Sequence, residues 1–512
     1  MRSILSRIHG ALKSRRFFWF ILVFFLLESL WIALSAAYPQ AFDEDFHFGI
    51  IKLYSHHWLP FLTSQPAGAD EFGAVFRDPS YLYHYLMSFP YRIVAHFAHT
   101  QMTQVIILRV INVGLAALGL ILFRRVLLRV KLSQALTNVS LLLFVLIPIV
   151  PQLAGQINYD NMLFPLVAWT FLLTIRAIDE LVAKRPSIRT WMILLTVCLL
   201  SSLVKYEFLP IALATVLFLV YMTFKNFKGS WRLLRQQLGH SWRAQKVWQQ
   251  IILVLALVIG LGLFAQRDGI NLVRYHTLEP DCRAVLNVKS CSSYSPWNAS
   301  YKWHLKVVEK ASSGDPFHFV NPLAYTATWF YWLWYRLFFA INGPSSGFRN
   351  YPPLPLPAIA AALISLFGVV VVFLRRKILK TNPYLLFFAL VIVFYMLALW
   401  LEGYLQYRYT HVLVLMNGRY LLPILLPVAA IGGAAMAKTL RHRPTLKVLL
   451  ATVAIVMFIQ GGGVMTFILR SDSTWDWPNT TVVKANNAAR DVLKTVVLAG
   501  TKTYSTKVWV FN

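Results

Sequence analysis

Apolar runs of 18 or more residues recur from one end of this 512-residue chain to the other, and that recurrence limits its fold more than any single motif. A run of that length with few charges is what a helix needs to cross the hydrocarbon of a bilayer. The first, from Phe17 to about Ala37, is too long for a signal-peptide core. Tyr38-Pro39-Gln40 after it is no small-residue cleavage site, so it reads as a retained span. Further runs fall near 104–123, 134–152, 161–177, 190–204, 207–224, 248–265, 357–374, 383–401, 419–437 and 447–469. The expectation is an all-α polytopic membrane protein with about 11 transmembrane helices, in a range of about 10–13. Composition agrees: 58% of residues are hydrophobic and 13% charged, against about 25% charged in soluble chains.

A net charge of +29 invites a nucleic-acid reading, but its distribution argues otherwise. With the N-terminus on the cytoplasmic side, the inner segments are 1–16, 124–133, 176–190, 225–247, 375–380 and 438–447. They hold 27 of the 49 Lys and Arg and only two of the 20 acids, Asp179 and Glu180. This is the positive-inside asymmetry of a multi-pass plasma-membrane protein. The positive charge orients the chain, membrane lipids with anionic headgroups are the expected partner, and nucleic acid is not.

Two long segments then lie on the outer side, 38–103 and 266–356, while the inner connections are short. The longest of these, "KNFKGSWRLLRQQLGHSWRAQK", is basic and amphipathic, suited to the inner leaflet. "YTATWFYWLWYRLFFA" (325–340) carries nine aromatics and an arginine without a basic inner loop behind it. It reads as an interfacial or re-entrant helix, either an anchoring belt or a slot for a lipid substrate. Residues 1–470 form the polytopic domain, and 471–512 a small outer appendage, a helix followed by a strand at "KVWVFN". Cys198 sits inside a span, whereas Cys282 and Cys291 share the second outer segment, where an oxidising compartment permits a disulfide.

Ionisable groups at membrane depth are the informative ones. "DEDFH" places Asp43, Glu44, Asp45 and His47 at the mouth of the first span. On a helix starting there Asp43 and His47 share a face and Asp45 points elsewhere. Crowded carboxylates take up a proton more readily, as a general base for a hydroxyl must; equally, acids in the first turn of a helix answer its dipole. "FRDPSYLYHYLMSFPYR" (76–92) offers Asp78 as a cap, then Tyr81 and His84 on an amphipathic segment, so that two interfacial helices would roof a cavity. Asn158, Asp160 and Asn161 fall at the outer turn after the third span, Lys205 and Glu207 at a later outer tip, and Arg408, His411 and Arg419 at the ends of two late spans. Singly these are snorkelling or turn residues. Together Lys205, Arg408 and Arg419 could hold a phosphate or pyrophosphate.

The order and side of these motifs resemble the GT-C superfamily of integral-membrane glycosyltransferases. "DEDFH" resembles the acidic first-loop motif of protein O-mannosyltransferases and of the aminoarabinose transferase, "RDPSYLYHYL" is similar to their second loop motif, and "LVKYEFLP" to a Lys-containing turn. With "NYDN" and "GRYLLP", the chain also resembles an uncharacterised bacterial multi-span family. The resemblance implies transfer of a hexosyl or pentosyl group from a polyprenyl-(pyro)phosphate donor to a lipid, glycan or protein acceptor on the outer face. Carried over, Asp43 is the base, Glu44 its neighbour, His47 a supporting group, and Lys205 and Arg419 hold the donor phosphate. "DPSY" stands where the family has Pro-Pro, and Asp45 adds a third acid. Three adjacent carboxylates could bind Mg²⁺ or Mn²⁺. Competing readings are a transporter or flippase, for which Glu28 inside the first span would be the functional acid, a surface-polysaccharide polymerase or ligase, and a scaffold.

Overall fold

The computed structural model describes residues 2–312, 321–338, 355–459 and 462–497. The expected strand at 507–512 and residues 339–340 of the aromatic stretch lie outside these. Among the described residues everything regular is helical, apart from one isolated bridge between Ala36 and Asp476. Eight helices are long and apolar enough to cross a membrane: Arg15–Ser35, Gln101–Arg129, Asp160–Val182, Tyr206–Phe227, Val247–Tyr275, Pro383–Thr410, Gly418–Thr439 and Pro444–Arg470. Three shorter apolar helices, Gln134–Val145, Ile188–Val204 and Ile359–Leu374, coincide with the remaining runs. The run at 134–152 breaks for a local reason. Pro148 cannot donate into the ladder, and the chain restarts as the short helix Ile149–Ala154.

The helix Asp160–Val182 is the centre of the bundle, packed against Gln101–Arg129, Ile188–Val204 and Tyr206–Phe227. Stacked rings of Phe123, Phe144 and Phe164 fill the space around it. By contrast Val247–Phe264 turns Val254, Val258, Ile259 and Leu261 outward, an apolar face that suits lipid and not water. The chain is an all-α polytopic membrane protein.

Two helices of the first loop, Glu44–Ser55 and Leu82–Phe97, pack on each other over one end of the bundle. They are less peripheral than an amphipathic roof would be. Tyr81 and His84, expected as polar tips at an interface, are buried, because the second helix presses that side against the first. The aromatic helix Pro322–Phe338 likewise has a buried side, with Tyr325 and Trp329 set against the late span at Tyr404, Tyr407 and Gly403. Its far end crosses the Gly418–Leu421 turn so closely that a Cβ on Gly418 would lie 2.3 Å from Leu337 Cα. Cys282 and Cys291 form a disulfide with Cα atoms 5.9 Å apart. The segment after Arg470 folds back on the first span, with Trp477 N donating to Ser35 O at 2.9 Å and Ala37 N to Trp475 O at 2.7 Å.

Candidate functional site

The acidic triplet diverges. Phe42 and Asp43 both adopt left-handed backbone, φ 66° and 67°, in a chain position without glycine. Asp43 is therefore the cap of the loop helix and not its first turn. Asp43 is exposed, Glu44 is buried, and Asp45 is exposed. The two left-handed residues are held from outside: the Phe42 carbonyl accepts from Asn158 Nδ2 at 3.0 Å and from Arg419 Nη1 at 3.2 Å. Arg419 Nη2 also donates to Asp43 Oδ2 at 3.0 Å. Residues 376 positions apart thus meet at one point.

Glu44 is occupied by the framework. Arg109, fully buried in the span Gln101–Arg129, donates Nε and Nη2 to its two oxygens at 2.8 and 2.7 Å. The same guanidinium ties down the carbonyls of Ala33, Ala36 and Ala37, the end of the first span. Backbone N–H groups of Gln40 and Ile157 complete the carboxylate at 2.8 and 3.0 Å. Every oxygen is used, as a buried ion pair requires. Glu44 fixes the turn that presents Asp43; it has no free atom for a substrate or a metal. Sequence reasoning overlooked Arg109, although an arginine inside an apolar run is a signal in itself.

Beneath Asp43 lies a second charged group. Lys205, 2% exposed, sits 2.8 Å from Asp160 Oδ1 and 3.0 Å from Glu207 Oε2, and over the rings of Tyr159 and Tyr420 at 4.6 and 5.1 Å. Burial disfavours its charge, but Asp160 and Glu207 outweigh that and hold its pKa well above the ordinary lysine value. Asn158 Oδ1 accepts from Asp160 N at 2.9 Å, linking this group to Phe42. Asp43, Asp160 and Glu207 face two cations, so neither Lys205 nor Arg419 has its charge to spare.

His47 and His84 are both buried and share one hydrogen bond, Nδ1 to Nε2 at 2.9 Å. Tyr159 packs edge-on to His47 at 4.5 Å. Burial, then His84 and the nearby Arg419 and Lys205, push His47 well below the usual histidine range, and burial pushes His84 down to about 3. Both rings are neutral near pH 7, which suits a supporting role. Asp78 uses Oδ1 on Ser80 N at 2.8 Å, and its carbonyl accepts from Arg267 Nη1 at 2.7 Å. Tyr81 stacks under Arg267 at 4.2 Å. Neither reaches the Asp43 group. Arg408 is exposed and is not drawn into it by any hydrogen bond or ion pair among the described residues.

Glu28 has a structural partner. Its Oε1 accepts from Val464 N at 3.0 Å, capping the helix Val464–Arg470, and Gly463 (φ 59°) leaves it room. Among the described residues no three His, Cys, Asp or Glu side chains converge as metal ligands. A cation drawing on all three adjacent acids would have to take Glu44 from Arg109. Compared with models of protein families and with curated proteins, the chain matches none.

Proposed function

We propose that this chain is a membrane glycosyltransferase of GT-C type, with its N-terminus cytoplasmic and its site on the outer face of the plasma membrane. It would move a sugar from a polyprenyl-(pyro)phosphate donor to a hydroxyl acceptor. The observation that carries the reading is Asp43: an exposed carboxylate on a left-handed turn, fastened by Arg419 on one oxygen and bare on the other among the described residues. A hydroxyl is a poor nucleophile until a positioned base takes its proton. Asp43 Oδ1 would accept that proton as the acceptor oxygen bonds to the anomeric carbon. The bond from that carbon to the phosphate oxygen breaks in the same displacement, and the (pyro)phosphate leaves with the electron pair.

The charge distribution supports this side assignment, because the expected inner turns collect the basic residues while Asp43, Asp160, Lys205, Glu207 and Arg419 gather at one end of the bundle. The aromatic helix Pro322–Phe338 offers a polyprenyl tail an apolar surface at Leu323 and Phe330. Glu28 caps a helix with Oε1, which gives the acid that a transporter reading would use a structural role. The test is transfer of labelled sugar from a polyprenyl-phosphate donor in proteoliposomes. Asp43→Asn should abolish transfer with insertion and melting unchanged, and Asp45→Asn should retain it. Full activity in Asp43→Asn refutes the assignment, and movement of donor without a new glycosidic bond refutes the reaction.

A further inference from the structure

Arg77, in the first loop, is a buried cation over the Phe76 ring with no acid partner among the described residues. Arg77 closes the short turn Val75–Arg77, just before the second loop helix, and is 7% exposed. Its Nε and Nη1 are buried with no hydrogen-bond partner, and no carboxylate pairs with it among the described residues. Its backbone is fixed, since Asn271 Nδ2 donates to the Arg77 carbonyl at 2.9 Å and Arg267 Nη1 holds the carbonyls of Val75 and Asp78 at 3.1 and 2.7 Å. The charged groups acting on its side chain most are two more cations, Arg267 and Arg274, with the Tyr275 phenol. Burial and those two guanidiniums depress its pKa from the ordinary arginine value.

An unpaired buried guanidinium is unfavourable, and a second positive charge beside it makes it more so. The acids nearby do not relieve it. Asp78 spends Oδ1 on Ser80 N, and Asp268 lies beside Arg267 without an ion pair among the described residues. A tetrahedral dianion answers the defect, because arginine presents a planar fork of donors that matches phosphate oxygens.

We propose that Arg77, with Arg267 beside it, is a phosphate-binding site, taking either the phosphate of a polyprenyl-type lipid or a free inorganic phosphate. The site lies next to the Asp43 group without being part of it: Ser80 Oγ accepts from Tyr206 N at 3.1 Å, next in sequence to Lys205. It also resolves a difficulty of charge. Lys205 and Arg419 are matched by carboxylates, whereas Arg77 is a buried cation that a phosphate can claim without displacing an ion-pair partner.

The test reads binding and not sugar transfer, so it can fail while the Asp43 reading stands, and the reverse. Protein in nanodiscs of zwitterionic lipid is melted against rising inorganic phosphate, polyprenyl monophosphate and the unphosphorylated polyprenol. Stabilisation by either phosphate and not by the polyprenol is expected, and which phosphate acts identifies the source. Arg77→Gln should weaken that binding roughly tenfold or more, as loss of a charged hydrogen-bond donor implies. Arg274→Gln alters a surface side chain and keeps the test open should Arg77→Gln misfold; it should weaken binding by a smaller factor. Asp268→Asn should leave it intact or tighten it. No phosphate-dependent stabilisation of the wild type, stabilisation of Arg77→Gln equal to wild type, or a misfolded Arg77→Gln beside an unaffected Arg274→Gln would overturn the proposal.

Discussion

Replacing Arg109 by Met tests whether the Glu44 pair is the keystone of this end of the bundle. Both side chains are fully buried, so solvent screening gives no discount. Met keeps an unbranched apolar stem but loses the guanidinium, which lies 5.5 Å from the Trp477 ring. Removing one partner of a buried pair costs about 3–5 kcal/mol, because the other charge is left uncompensated. Arg109→Met strands the Glu44 carboxylate and the carbonyls of Ala36 and Ala37, so about 4 kcal/mol is expected. Glu44→Met strands the guanidinium and the amides of Gln40 and Ile157, for a similar ~4 kcal/mol. The double variant leaves no buried charge, only unmet backbone groups. It should lose about 5 kcal/mol, a coupling of about 3 kcal/mol relative to additivity. The assay is a double-mutant cycle by denaturant unfolding in mixed micelles. Losses that add within about 0.5 kcal/mol would show the two residues acting independently and refute the reasoning.

Two further predictions concern the same region. His84 is held at about 3 by burial, below the ordinary 6.5. As pH falls below 6.5 the unfolded chain binds a proton that the folded chain refuses, so stability falls with acidity, by about 2 kcal/mol at pH 5 from this group alone. His47 adds in the same direction. Melting from pH 7.5 to 5 should show this loss, His84→Asn should flatten it, and parallel profiles would refute the assignment. Gly418→Ala would drive a Cβ to 2.3 Å from Leu337 Cα and 2.5 Å from its nitrogen, both backbone atoms that cannot rotate away. A loss of about 1–3 kcal/mol by the same unfolding assay is expected; an unchanged midpoint would mean that the aromatic helix is not seated on this turn.

Much of the architecture was legible because apolar runs report helix positions directly, and each run found its helix. The acidic mouth, the two loop helices and the Cys282–Cys291 pair were legible too, each being a local pattern. Partnerships were not. Whether Lys205 waits for a phosphate or is already matched depends on Asp160 and Glu207, one of them 45 positions away. Arg109 lay hidden in "VIILRVINV" because a single charge barely lowers the hydropathy of a span, while its partner is 65 residues distant. Arg77 stood inside a motif noticed for its Asp, Tyr and His, and only packing reveals that it has no acid of its own. Periodicity places side chains on faces; it cannot say which charges cancel.

The left-handed pair Phe42–Asp43 makes the division of labour among the three acids intelligible. A non-glycine residue in that region costs about 1–3 kcal/mol and persists only where its surroundings over-determine it. Here they do so with groups from three other parts of the chain: Asn158 and Arg419 on the Phe42 carbonyl, and Arg109 on Glu44. A regular helix through 42–45 would have sent Asp43 toward the face of His47, into the buried histidine pair. The strained turn instead sends one carboxylate inward to hold the framework and leaves its neighbour exposed. Asp43 closes an ion pair of its own with Arg419, and what sets it apart from Glu44 is its exposure. The backbone conformation is thus an argument for the proposal that Asp43 is the base.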